Sequence, residues 1–147
     1  MTISAWKRPW CGRINSSNLG DEVELVGWVR RRRDLGGLVF VDLRDRTGLV
    51  QLVFEDEMVS EGERLSGEDV IRVTGRVRER AEGQTNPELA SGEVEVAVDA
   101  LEILSESAEL PLPVFGEPDY PEETRLLYRF LDLRRETLHA NIMRRLA

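Results

Sequence analysis

Between residues 22 and 104, apolar and polar side chains alternate in five short runs: 22–33, 38–44, 49–54, 69–80 and 93–104. Successive residues of a strand point to opposite faces, so each run has one face for a core and one turned outward. Between the third and fourth runs, EDEMVSEGERLSGED is polar, acidic and long enough for a short helix. Five strands with a helix between the third and fourth follow the order of the OB-fold. The sequence therefore predicts an all-β, five-stranded Greek-key barrel. A generic five-stranded barrel or sandwich satisfies the same alternation and stays open at this point.

The phase of each run assigns faces. In the second, Val39, Val41 and Leu43 share the core side, which leaves Leu38, Phe40, Asp42 and Arg44 outside. In the third, Val50, Leu52 and Phe54 point in and Gln51 points out. Ile71, Val73 and Val77 of the fourth run point in, so Arg72, Thr74, Arg76, Arg78 and Arg80 form an outer row. In the fifth, Val94, Val96 and Val98 point in and Glu93 and Glu95 out, whereas Leu101 and Ile103 hold the opposite register. A bulge near Asp99 reconciles the two halves. The first run has a similar conflict: strict alternation puts Arg31 and Arg33 in phase with core residues Val23, Leu25 and Val29, so the strand must bend or end near Arg30.

The flanks differ. Residues 1–20 carry Gly, Pro, Asn and Ser punctuation, with one helical turn expected in NSSNLG. Residues 105–121 hold four of the six prolines and read as a linker. From Glu122 apolar residues recur at spacings of three and four, a helical pattern. The predicted organisation is a barrel domain over 1–104, a linker over 105–121 and a helical segment over 122–147. No run reaches the roughly 18 apolar residues of a membrane helix, and MTISAWKRPW lacks the apolar stretch of a secretory signal, so a cytoplasmic location is expected. One cysteine, Cys11, and one histidine, His139, make neither an internal disulfide nor a zinc set. No catalytic, cofactor-binding or metal-ligating residue is expected.

Charge locates the chemistry. The chain carries a formal net charge of −8, yet residues 28–51 hold six arginines against three aspartates, while 55–69 hold seven acids against Arg64 alone. A local basic footprint around an outward aromatic, Phe40, beside an amide, Gln51, suits single-stranded nucleic acid. The ring stacks an unpaired base, guanidinium groups hold phosphates, and amide or carboxylate groups read base edges. The plain alternative is that Phe40 covers a loop and the arginines are solvated.

The segments GWVRRRRDLGGLVFVDLRDRTGLVQLVF, VTGRVRER, ASGEVEV and RLLYRFLDLRRETL, in that order, resemble the anticodon-binding domain and hinge of bacterial-type aspartyl-tRNA synthetases. The resemblance runs from about Trp10 to the C-terminus. It implies a class II synthetase that activates aspartate with ATP and Mg²⁺ and transfers it to tRNA(Asp), with tRNA(Asn) as a second candidate. By position, Phe40 matches an aromatic that stacks an anticodon base, and Gln51 a reader of the middle base. Arg31, Arg33, Arg78 and Arg80 match cationic contacts to the loop, and Asn86 and Glu95 match residues near the first base.

Two further expectations follow from the resemblance. The three class II catalytic motifs are absent through Ala147, so the segment is expected to bind tRNA without catalysing aminoacylation, as part of a chain several-fold longer. The family dimerises largely through its catalytic domain, which implies a homodimer for the whole enzyme and a mostly monomeric segment. A stand-alone OB-fold RNA binder and a protein-interaction barrel are the competing classes. Leu35 stands where members serving both tRNAs tend to carry histidine, and argues for aspartate tRNA alone, whose anticodon ends in C. Gly83 resembles the broader type. The expectation follows Leu35.

Overall fold

A computed structural model describes residues 8–114 and 120–147; the start of the lead-in and residues 115–119 of the expected linker lie outside the described residues. Five strands form, β1 (Glu22–Leu35), β2 (Leu38–Asp45), β3 (Gly48–Phe54), β4 (Val70–Glu79) and β5 (Val94–Ser105). They close into a barrel in the order β1-β2-β3-β5-β4. Closure decides between the barrel and the open sandwich. Val23, Leu25, Val29, Val41, Leu43, Val50, Leu52, Ile71, Val73 and Val96 fill the interior, each at most 1% exposed. The alternation of the sequence is therefore the alternation of inside and outside. The predicted turn in NSSNLG is a 3-10 turn at Ser16–Asn18, capped by Asn15.

Both predicted irregularities are bulges. The β1–β2 register runs Val29↔Leu43 and then Arg31↔Asp42, so Arg30 is the extra residue. Because side chains alternate with period two, one inserted residue inverts the faces beyond it. Arg31, Arg33 and Leu35 then pair with Asp42, Phe40 and Leu38 and share their outward face. The β4–β5 register steps from Thr74↔Ala100 to Gly75↔Val98, which makes Asp99 the second bulge. Gly36 and Gly37, with φ of +59° and +79°, close the two-residue β1–β2 hairpin, where both positions require the left-handed region.

The helix between β3 and β4 is short: a 3-10 turn at Asp56–Met58 runs into α1 (Val59–Glu63). The acidic run supplies little apolar surface to extend it. Gly62 of α1 lies directly against the Phe54 ring. Arg32 donates to the carbonyls of Glu63 and Leu65 at the end of this helix, the latter at 3.0 Å.

Asp45 fastens the lead-in to the barrel. Its Oδ1 accepts from the Thr47 amide at 2.8 Å and hydroxyl at 2.6 Å, and its Oδ2 accepts from the Cys11 amide at 2.6 Å. Burial disfavours the Asp45 charge, but these hydrogen bonds outweigh it and hold the carboxyl below its usual range, while burial pushes the Cys11 thiol up. Asp45→Ala is expected to lower the unfolding free energy by about 1–3 kcal/mol at neutral pH, because it orphans buried amide donors. A carboxyl depressed in the folded state stabilises above its unfolded pKa and loses that contribution as pH falls through the folded value. Urea melts of variant and parent should therefore converge below about pH 4.

The chain divides between Ser107 and Ala108 into two compact units. In the second, the helical region is three pieces, α2 (Glu122–Leu127), α3 (Arg129–Asp132) and α4 (Glu136–Leu146). Leu112, Val114 and Leu131 form its small core. Buried Asp132 accepts from Arg125 Nε at 3.2 Å and from Arg135 NH1 at 2.9 Å.

Candidate nucleic-acid interface

Strand register assembles the site. Asp42 faces both Arg31 and Gln51, Arg78 faces Glu95, and Gln51 and Glu95 each stand one residue before the parallel Leu52↔Val96 pair. One outward row thus crosses all five strands: Arg31, Asp42, Gln51, Glu95, Arg78. The adjacent row sets Arg33 beside Phe40 and Phe40 beside Val53. Side chains far apart in the sequence meet because the barrel is closed.

A depression of about 190 Å³ opens on these rows, lined on its polar side by Arg33, Gln51, Arg78 and Glu95 and on its apolar side by Leu35, Phe40 and Val53. That is below the roughly 300–1,000 Å³ of pockets for drug-sized ligands, so it suits one planar ring. Half-buried Phe40 forms the apolar wall, with the Arg33 guanidinium 5.7 Å from its ring centroid, a cation–π distance.

Opposite the ring lies a chain of hydrogen bonds. Arg33 NH2 donates to Gln51 Oε1 at 3.0 Å, and Gln51 Nε2 donates to Glu95 Oε1 at 3.3 Å. Arg78 Nε donates to Glu95 Oε2 at 2.9 Å, and its NH1 and NH2 donate to the two oxygens of Glu55 at 2.7 and 3.2 Å. Hydrogen bonding to Arg78 holds the Glu55 carboxyl below its usual range and raises Arg78 in return. Both arginines of the depression are paired with acids, Arg33 with Asp42 at 3.5 Å and Arg78 with Glu95 and with Glu55 outside the lining. What it offers a ligand is an aromatic surface and directional polar groups.

Gln51 and Glu95 point outward as their phase requires, yet each is only 6% exposed. The outer face is not open there: Ala81 and Gln84, from the segment after β4, also line the depression. Of the nine sequence candidates, Arg33, Leu35, Phe40, Gln51, Arg78 and Glu95 meet at this depression. Arg31 stands exposed at the end of the five-strand row. Arg80 does not line this depression, although it is within electrostatic reach of Glu95, Asp42 and Arg33; its Nε donates to the Val94 carbonyl at 3.0 Å, and it borders a second depression that includes Ser16, Thr85 and Glu93. Burial lowers the basicity of Arg80. Asn86 serves its own loop, where its Oδ1 accepts from the Glu88 amide at 3.0 Å.

Sequence reasoning passed over Ala81, Gln84 and Glu55. The first two follow β4 without periodicity, and Glu55 was counted with the acidic run. Not every arginine of 29–46 serves the face. Arg32 holds the end of α1, Arg44 pairs with Glu68 at 2.9 Å, and Arg46 lies 4.6 Å over the Trp10 ring.

Residues 23–104 match the tRNA anti-codon family model, described as an OB-fold nucleic acid binding domain. The chain belongs to this family. A curated relative from Caulobacter sp. (strain K31), Aspartate–tRNA(Asp/Asn) ligase, is 54% identical over 145 residues, which cover 97% of this chain and 24% of that protein. A second of the same name, from Phenylobacterium zucineum, is 56% identical over 137 residues, covering 92% of this chain and 23% of the relative. The chain thus spans about a quarter of the length of these relatives. Among solved structures, asparaginyl-tRNA synthetase from Pyrococcus horikoshii is similar with a TM-score of 0.66 and 28% identity, over 87% of this chain and 29% of that one. The anticodon-binding family thus covers the barrel that carries the depression.

Proposed function

We propose that this chain binds the anticodon loop of a tRNA on the outer face of its barrel and contributes that recognition to an aspartate–tRNA ligase. The observation that carries the reading is the convergence of Phe40, Gln51, Glu95, Arg33 and Arg78 on one depression of a nucleic-acid-binding domain. Phe40 stacks a base. Gln51 reads the middle base, and the Glu95 carboxylate accepts from the N1 and amino donors of a guanine at the first. Arg31 and Arg80, outside the depression, meet the loop backbone, and Asn86 lies near the first base.

In this reading the tRNA binds from the cytoplasm, and a catalytic domain holds ATP and Mg²⁺, activates the carboxylate of aspartate and brings the homodimer together. The residues of the depression take no part in that chemistry. Gln51→Ala tests the assignment. It is expected to lower discrimination between stem-loops carrying GUC and GCC anticodons by about 1–3 kcal/mol, the share of one good base contact, with a smaller loss of affinity for backbone. Equal losses on both RNAs would reject the role of Gln51.

The tRNA(Asp/Asn) in the names of the relatives supports service to both tRNAs, against the expectation drawn from Leu35. The chemistry of that side chain agrees. Leu35 is 56% exposed at the rim and has no polar group to tell the amino donor of C from the carbonyl of U. Stem-loops ending in C and in U are expected to bind with dissociation constants within about twofold at one salt concentration. A preference for C of about 1 kcal/mol or more, the cost of one mismatch, would restore the narrow reading.

A further inference from the structure

We propose that Glu55, which does not line the depression, is a positioning residue that fixes the orientation of the Gln51 amide and so sets discrimination at the base Gln51 reads. The proposal rests on the reading of Gln51 given above. A glutamine side chain has a donor end and an acceptor end of nearly equal shape, so only polar partners decide which way it faces. Here the donor Arg33 holds Oε1 and the acceptor Glu95 holds Nε2. The orientation rests on both contacts, and the second is as secure as the availability of Glu95 Oε1.

Glu55 governs that availability through Arg78. With NH1 and NH2 of Arg78 engaged by Glu55, the guanidinium meets Glu95 edge-on: Nε and NH2 both approach the single oxygen Oε2, at 2.9 and 2.8 Å. Glu95 Oε1 is thereby left to Gln51. Arginine and carboxylate otherwise favour a two-pronged pairing that engages both oxygens. Without Glu55, the Arg78 fork turns to Glu95 and takes Oε1 from the amide. Gln51 then keeps only the Arg33 contact of the two that distinguish its ends, so the amide reverses more readily and separates uracil from cytosine less well. Glu55 stands at the end of β3 with its side chain 35% exposed, so its loss opens no core cavity.

The test uses the 147-residue chain, labelled with ¹⁵N, as the parent and as Glu55→Ala. The side-chain amide signal of Gln51 is assigned by its absence from Gln51→Ala. In Glu55→Ala this signal is expected to shift and to exchange faster with water, while urea stability stays near that of the parent. The GUC-to-GCC affinity ratio is expected to fall about fivefold or more, the lower end of what one bidentate base contact supplies, with affinity for GUC changed less than twofold. Glu55→Gln, which keeps the volume and gives up one of two acceptor oxygens, is expected to fall between the two and serves if the alanine variant is unstable. An unchanged Gln51 signal overturns the proposal without reference to RNA. A displaced signal with an unchanged ratio overturns it where Gln51→Ala does lower the ratio. If Gln51→Ala also leaves the ratio unchanged, the reading of Gln51 has failed and the proposal falls with it.

Discussion

Phe54→Ala is expected to lower the unfolding free energy by about 3–5 kcal/mol, the usual cost of removing a fully buried ring. Phe54 is 0% exposed, pairs with Val39 across β2 and β3, and has its ring against Gly62 of α1. It therefore joins the barrel wall to the short helix that covers one end. That helix is too short to hold itself together, and deleting the ring also removes the surface on which it rests. Since domains are stable by only about 5–15 kcal/mol, about a fifth or more of the total is at stake. Urea denaturation measures it as a fall in midpoint with little change in slope. A loss under about 1 kcal/mol would mean that α1 collapses into the space the ring leaves.

Phe40→Ala, one strand away, is expected to do the opposite: leave stability nearly unchanged and weaken anticodon stem-loop binding by about 1–3 kcal/mol, the contribution of one base stack. Its ring is half-buried on the outer face and is not part of the barrel's core cluster. Binding isotherms at fixed salt decide the matter, with the urea midpoint as control. Phe40→Tyr should retain most of the affinity, because it keeps the planar face. If alanine and tyrosine variants bind alike, Phe40 is not a stacking platform.

The barrel was legible because alternation is a local signal. Each run carries its own inside and outside, and the two places where the pattern broke, Arg30 and Asp99, are both bulged residues; a third irregularity, at Leu104 near the end of β5, left no mark in the pattern. The outward phase of Phe40, Gln51 and Glu95 was readable for the same reason. The low exposure of Gln51 and Glu95 was not, since the depression they line is shared with Ala81 and Gln84, which follow β4 in a loop with no period. The pairing of Glu55 with Arg78 was hidden too. The two are brought together only by closing the barrel, and in the sequence Glu55 looks like the start of an acidic stretch. The arginine run shows the limit of composition: Arg32, Arg33, Arg44 and Arg46 look equivalent in a string of letters but hold a helix end, an amide, a carboxylate and an indole in turn.

The bulge at Arg30 separates what substitution and what deletion do to this strand. Before it, odd-numbered residues of β1 face the core; after it, odd-numbered residues share the outward face of Asp42 and Phe40. Exchanging the side chain at position 30 leaves that parity alone. Removing the residue would leave Val29↔Leu43 and Arg31↔Asp42 as consecutive pairs, so plain alternation would carry Val29 inward and Arg31, Arg33 and Leu35 outward without a bulge. For this stretch the number of residues carries information that their identities do not: removing Arg32 instead would set Asp34 opposite Phe40 and put an anion where Arg33 stands.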